Sequence, residues 1–148
     1  MNRRSLLAIL VAGIAGIFVT RGSLAADHAF PEGSPKFETD YKAALAAAAK
    51  DGKPIVVVFS ASWCPPCQAN KKKVYPSDAV KAYHDKFVWA YLDTDEEANS
   101  KVAKEFKVSG IPHIQFLSKA GKPLGTSIGG TTPDAFAGKL KEILAAAK

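Results

Sequence analysis

Cys64 and Cys67 are the only thiols in this 148-residue chain, and they stand three apart in Trp63-Cys64-Pro65-Pro66-Cys67, directly behind the apolar run Ile55 to Phe59. A strand that delivers Cys-x-x-Cys to the first turn of a helix sets one sulfur among backbone N–H groups that lack partners, where negative charge is favoured. The thiolate is the nucleophile, and a second thiol three residues on can capture the mixed disulfide it forms. The spacing therefore points to thiol-disulfide exchange, with the Cys64–Cys67 dithiol itself as the redox group and no separate cofactor. Two other uses compete with this one. A structural disulfide across so short a loop removes little chain entropy and adds little stability. A zinc or copper centre needs two further ligands, and the imidazoles on offer, His28, His84 and His113, form no second pair.

The compartment is readable upstream. Arg3 and Arg4 head an apolar stretch from Leu6 to Val19, and Ser23-Leu24-Ala25 has the small-x-small form of a cleavage site. That stretch is short for a membrane span. Residues 1–26 are thus read as an export signal, fitting either the general secretory or the twin-arginine route, with no stable membrane association after cleavage. The expected location is the periplasm or another exported compartment. Removing the signal takes all three arginines, and the formal charge falls from +6 to +3. A chain without arginine lacks the forked donor that reads phosphates and guanine edges, so nucleic acid is excluded as an expected partner. The ~120 residues left are one domain with enough apolar content, 47% of the whole chain, to bury a core and stand as a monomer.

Several elements must hold the pair in place. Residues 27–36, with Pro31, Gly33 and Pro35, read as an extended leader, and residues 37–148 as the domain. An alanine-rich helix begins at a Thr39 or Asp40 cap and stops at Asp51-Gly52. Ile55 to Phe59 has the continuous β-branched character of a strand buried on both faces, hence central. The spacing predicts a helix from Gln68 to Val74 ending before Pro76, a short helix from Ser77 or Asp78 to Tyr83, a strand over Phe87 to Leu92, and a helix from Glu96 to Phe106. Ile114 to Leu117 and Leu124 to Ile128 flank Lys119-Ala120-Gly121-Lys122 and make an antiparallel hairpin. Thr132 caps a last helix whose inner face is Phe136, Leu140, Ile143 and Leu144. The fold class is α/β: a mixed sheet, with a parallel pair and an antiparallel hairpin, between helices on both faces.

With Trp63-Cys64-Pro65-Pro66-Cys67 after a buried strand, Gly110-Ile111-Pro112 before the hairpin and Gly129 before the last helix, the chain resembles the thioredoxin family over nearly all of residues 37–148. Asp51-Gly52-Lys53-Pro54 and the acidic segment after Leu92 resemble its exported branch, which includes the C-terminal domain of DsbD. The resemblance implies the thioredoxin fold, Cys64 as attacking thiolate, Cys67 as resolving thiol, and a cis peptide before Pro112. With Trp63 and Ile111, that proline would bind a substrate strand without offering an N–H. The chain departs from the family at Val58, where a buried aspartate is expected, and at Lys71, where the DsbD domain has a carboxylate. His113 is the candidate substitute for proton transfer; its alternative is a strand-opening residue with a solvent-facing ring.

Losing both carboxylates should favour thiolate and oxidising values. Lys71, Lys72 and Lys73 would act in the same sense if near the sulfurs, although such a run is commonly a solvated helix face. Against this, Ile111 before the proline and Pro66 before the second cysteine resemble reducing thioredoxins. The expected function is a reductase or interchange protein acting on protein thiols and disulfides, recharged by a membrane electron donor of the DsbD type. A dithiol oxidase is the alternative, usually with an inserted helical domain for which Val74 to Phe106 leaves no room. A copper chaperone using the two sulfurs is the non-enzymatic alternative.

Overall fold

The computed structural model describes residues 29–148, so the export signal expected over residues 1–26, and His28 with it, lie outside the described residues. Five strands form one sheet in the order β1-β3-β2-β4-β5, with β1 Phe37–Glu38, β2 Ile55–Ser60, β3 Val88–Asp93, β4 His113–Leu117 and β5 Pro123–Ile128. The β1, β3 and β2 strands run parallel, while β4 is antiparallel to β2 and β5 to β4. Every residue of β2 is buried, as its unbroken apolar run requires of a strand with a neighbour on each side and a layer on each face.

Helices cover both faces: α1 Tyr41–Asp51, α2 Pro65–Ala69, α3 Asp78–Lys81, α4 Glu97–Glu105 and α5 Pro133–Ala146. Three of their boundaries are set by side chains or glycine in the way the sequence suggests. Asp40 Oδ1 accepts the Ala43 N–H at 2.7 Å, and Gly52 closes α1 at φ +67°, a left-handed conformation that glycine adopts without a Cβ penalty. Thr132 Oγ1 likewise accepts the Ala135 N–H at the head of α5, with Pro133 following in the first helical position.

Alternation along the strands divides the core. Val56, Val58, Trp89, Tyr91, Ile114 and Phe116 point toward α3, α5 and the chain beyond α2. On the opposite face, Ile55, Val57, Phe59, Ala90, Leu92 and Leu117 meet α1 and α4.

Three features differ from expectation. The two-residue β1 pairs with β3 through Phe37 opposite Trp89, a long-range pairing with no local periodicity to announce it. The leader is docked: the Phe30 ring lies 4.5 Å from Phe37 and 5.1 Å from Tyr91, so an isolated aromatic among prolines belongs to the core margin. The redox helix starts at Pro65, three residues before the expected Gln68, because its first turn leaves N–H groups unused and two prolines sacrifice nothing there. It then widens into a π-helix over Asn70–Val74.

Candidate active site

The loop after β2 carries Cys64 to the N-cap of α2 with extended backbone, φ −94° and ψ 108°, and the two cysteines form a disulfide with Cα atoms 5.2 Å apart. Pro65 and Pro66 have no N–H, so the first backbone donor available to Cys64 is that of Cys67, which points at Cys64 Sγ at 3.4 Å. Cys64 is 4% exposed and Cys67 1%, both packed with Ala61 and Ile111. The sulfur of Cys64 also lies 3.7 Å from the Ile111 carbonyl, which brings the loop before β4 against the pair.

The Ile111–Pro112 peptide bond is cis. The Pro112 carbonyl accepts the Gly129 N–H at 2.8 Å, and Gly129 itself sits at φ +89°, where a side chain would be strained. Trp63 is 66% exposed but fixed: its indole N–H reaches both carboxylate oxygens of Asp95, at 2.9 and 3.1 Å. Between Trp63 and Ile111 lies a hollow of about 280 Å³ that also touches Thr94, Ser100, Lys104 and Val108.

Cys64, Cys67 and Ile111 therefore converge, with Pro112 adjoining Ile111 and Trp63 on the rim. His113 is placed otherwise. Only 5% exposed, it contradicts the solvent-facing alternative, and its ring meets Phe59 edge-on at 5.9 Å on the α1 and α4 face. Its Nε2 is buried without a hydrogen-bond partner. Val58 is 1% exposed and belongs to the hydrophobic core on the α3 and α5 face. Lys71 is not a solvated lysine: its Nζ stands 4.7 Å from the Phe30 ring centroid and 5.4 Å from that of Tyr91, and Lys72 and Lys73 are the exposed members of the run.

Sequence reasoning missed the polar groups that anchor this helix. Asn70, 1% exposed, accepts the Thr131 N–H through Oδ1 at 3.2 Å and donates to the Gly129 carbonyl through Nδ2 at 3.4 Å, tying the π-turn to the loop after β5. Gln68 Nε2 donates to the Ala61 carbonyl at 3.0 Å, and Ser60 and Tyr91 share a hydroxyl–hydroxyl bond of 2.6 Å. Burial, first of all, raises the Tyr91 phenol above its ordinary range, with Asp93 adding to it and Ser60 and Gln68 opposing, so it remains a neutral hydrogen-bonding group. The one sequence signal was a polar residue on the inner side of an otherwise short helix.

This geometry is that of a redox-active dithiol on a thioredoxin fold. The family model described as thioredoxin-like matches residues 36–119, and the chain belongs to that family. It is 36% identical over 91 residues to the thioredoxin-like protein HCF164, chloroplastic, of Oryza sativa subsp. japonica, covering 62% of this chain and 32% of the relative. To the thiol:disulfide interchange protein DsbD of Pseudoalteromonas atlantica it is 31% identical over 119 residues, 74% of this chain and 20% of that one. The chain thus spans a third or less of the length of these curated relatives. Among solved structures, a thioredoxin from Thermus thermophilus superposes with a TM-score of 0.69 at 26% identity, covering 78% of this chain and 90% of that one.

Proposed function

We propose that the chain is an exported thiol-disulfide oxidoreductase, a reductase or interchange protein that acts on protein disulfides through Cys64 and Cys67. The observation that carries the reading is the placement of Cys64: N-cap of α2, with the Cys67 N–H aimed at its sulfur, beside a cis proline and an open hollow. In the dithiol state, the Cys64 thiolate attacks one sulfur of a substrate disulfide and expels the other as a thiolate. Cys67 then gives up its proton and attacks Cys64 Sγ, releasing the second substrate thiolate. Two electrons pass to the substrate, which becomes a dithiol, and the Cys64–Cys67 disulfide is left. Trp63, Ile111 and Pro112 bind the substrate strand along the hollow. His113 is the proton-transfer residue this reading assigns, by its place next to Pro112 and its buried, unpartnered Nε2, with its ring against Phe59 and outside the cluster of Cys64, Cys67 and Ile111.

The relative named for thiol:disulfide interchange supports this activity, and the N-terminal pattern supports export. Outside the cytoplasm the oxidised pair needs recharging, for which a membrane electron donor of the DsbD type is the partner we assign. The protein works as a monomer. Reduction of insulin by the purified chain tests the proposal, with Cys64→Ser expected to abolish it and Cys67→Ser expected to accumulate the mixed disulfide. Loss of neither would end it. Equilibration with glutathione tests direction: a potential near the −270 mV of thioredoxin supports a reductase, and one near the −120 mV of DsbA replaces it with an oxidase (both about).

A further inference from the structure

The turn that presents Cys64 is closed by a ring of hydrogen bonds through Gln68. The Ala61 carbonyl, in a residue 1% exposed, accepts the Cys64 N–H at 3.3 Å and the Gln68 side-chain amide at 3.0 Å. The Cys64 carbonyl in turn accepts the Gln68 N–H at 3.1 Å. Gln68 therefore grips both sides of the cysteine whose sulfur takes the Cys67 N–H. Behind it stands β3: the Tyr91 hydroxyl bonds Ser60 Oγ at 2.6 Å, and the Ser60 carbonyl accepts both the N–H and the hydroxyl of Thr94, at 2.9 and 3.2 Å. The residues on either side of the β2 to α2 turn are thus held by side chains from α2 and β3.

We propose that Gln68, backed by Tyr91 and Ser60, is a positioning residue for Cys64 that sets how readily its sulfur ionises and how oxidising the pair is. Two effects act in one direction. The ring keeps the cap geometry in which the Cys67 N–H meets Sγ, the single near donor left by two prolines. The amide also shares the Ala61 carbonyl with the Cys64 N–H, so that the turn is held closed and Sγ stays at the helix N-terminus, where negative charge is favoured. Without the amide, the thiolate and hence the dithiol form are less stabilised, and the pair becomes more reducing.

The inference rests on the redox reading above, but its test separates the two. Gln68→Met keeps helix propensity and length while deleting the amide, and Tyr91→Phe keeps the ring while deleting the hydroxyl. In the reduced whole chain, the pH midpoint for alkylation of Cys64 is measured by mass spectrometry. The equilibrium constant for oxidation by glutathione and the melting temperature are recorded alongside. For Gln68→Met the midpoint is expected to rise and the constant for forming the disulfide to increase about fivefold, with about a twofold change for Tyr91→Phe in the same direction. A lowered melting temperature with midpoint and constant unchanged in both variants would reduce Gln68 to a structural role and overturn the inference. The alkylation midpoint reads out even if the wild-type chain reduces no insulin, an outcome that would strike the redox reading alone.

Discussion

The two faces of the sheet are built from different materials, and only one of them holds up the redox helix. Against α1 and α4 the packing is mostly aliphatic and small, with Phe59 its one fully buried ring: Ala44, Ala48, Ala90 and Ala103 let the helices lie close on Val57, Leu92 and Leu117. Against α3 and α5 it is aromatic, with Tyr75 and Phe136 5.7 Å apart, Phe136 6.3 Å from Trp89, and Trp89 5.9 Å from Phe37. Large rings bring polar tips that must be hydrogen-bonded when buried. On this face the Tyr91 hydroxyl bonds Ser60 at the active-site end of the sheet and the Trp89 indole bonds the His84 carbonyl at the other end, while the Tyr75 hydroxyl is buried without a hydrogen-bond partner. The aliphatic face fixes how closely α1 lies on the sheet, while the aromatic face fixes where α2 lies relative to β2 and β3.

The largest expected effect is on the aromatic side. Phe136→Ala removes a ring that touches Tyr75, Trp89 and Phe116, and should lower stability by about 3–5 kcal/mol in urea unfolding. A loss under about 1 kcal/mol would mean the rings there are loosely packed, and the contrast between the faces would go with it. On the other side the harmful change runs in the opposite sense. Ala48 is fully buried on the sheet-facing side of α1, so Ala48→Leu overpacks the close contact and should cost about 1–3 kcal/mol while leaving the glutathione equilibrium of the cysteine pair unchanged. A shifted equilibrium would show that both faces govern the redox helix.

Alkaline titration distinguishes the faces next. Tyr75, on the aromatic side, has its phenol raised far above the usual tyrosine value, chiefly by burial. Tyr41, on the other, is raised by partial burial and then by Glu105. Above about pH 10 the unfolded tyrosine releases its proton while the folded one keeps it, so the unfolded state gains and stability falls as pH rises. Each fully protected tyrosine contributes a slope of up to about 1.4 kcal/mol per pH unit. Tyr75→Phe should flatten the alkaline limb more than Tyr41→Phe. Equal slopes would count against the aromatic face as the more tightly closed one.

What could be read from the sequence follows the range of the interactions involved. Asp40 and Gly52 around α1, Thr132 and Pro133 at α5, and the buried run of β2 are local signals, and each lies where the sequence puts it. The cysteine pair was equally legible, because its chemistry depends on spacing within one turn. Gln68, Tyr91 and Asn70 were not, since their meaning comes from partners at a distance: Ser60 for Tyr91, thirty-one residues away, and Thr131 for Asn70, sixty-one. The same holds for Phe30, whose ring meets Tyr91, and for β1, whose pairing with β3 spans α1, β2, α2 and α3. His113 shows the limit from another side. Period-two alternation assigns its face, but burial on that face comes from Phe59, which only the register of β2 on β4 reveals.

The smallest effect is the sharpest check on the two faces, because it uses one kind of interaction on each. Asp40 caps α1 with a carboxylate oxygen 2.7 Å from the Ala43 N–H, and Thr132 caps α5 with a hydroxyl 3.3 Å from the Ala135 N–H. A charged acceptor at hydrogen-bonding distance gives the stronger bond and adds a favourable interaction with the helix N-terminus. Replacing either by Ala should cost on the order of 1 kcal/mol, with Asp40→Ala at the upper end and Thr132→Ala nearer half of that. If Thr132→Ala proved the costlier at neutral pH, the hold of α5 on the aromatic face would depend on its first turn more than on Phe136, Leu140 and Ile143. The ranking of side chains over termini on that face would then have to be reversed.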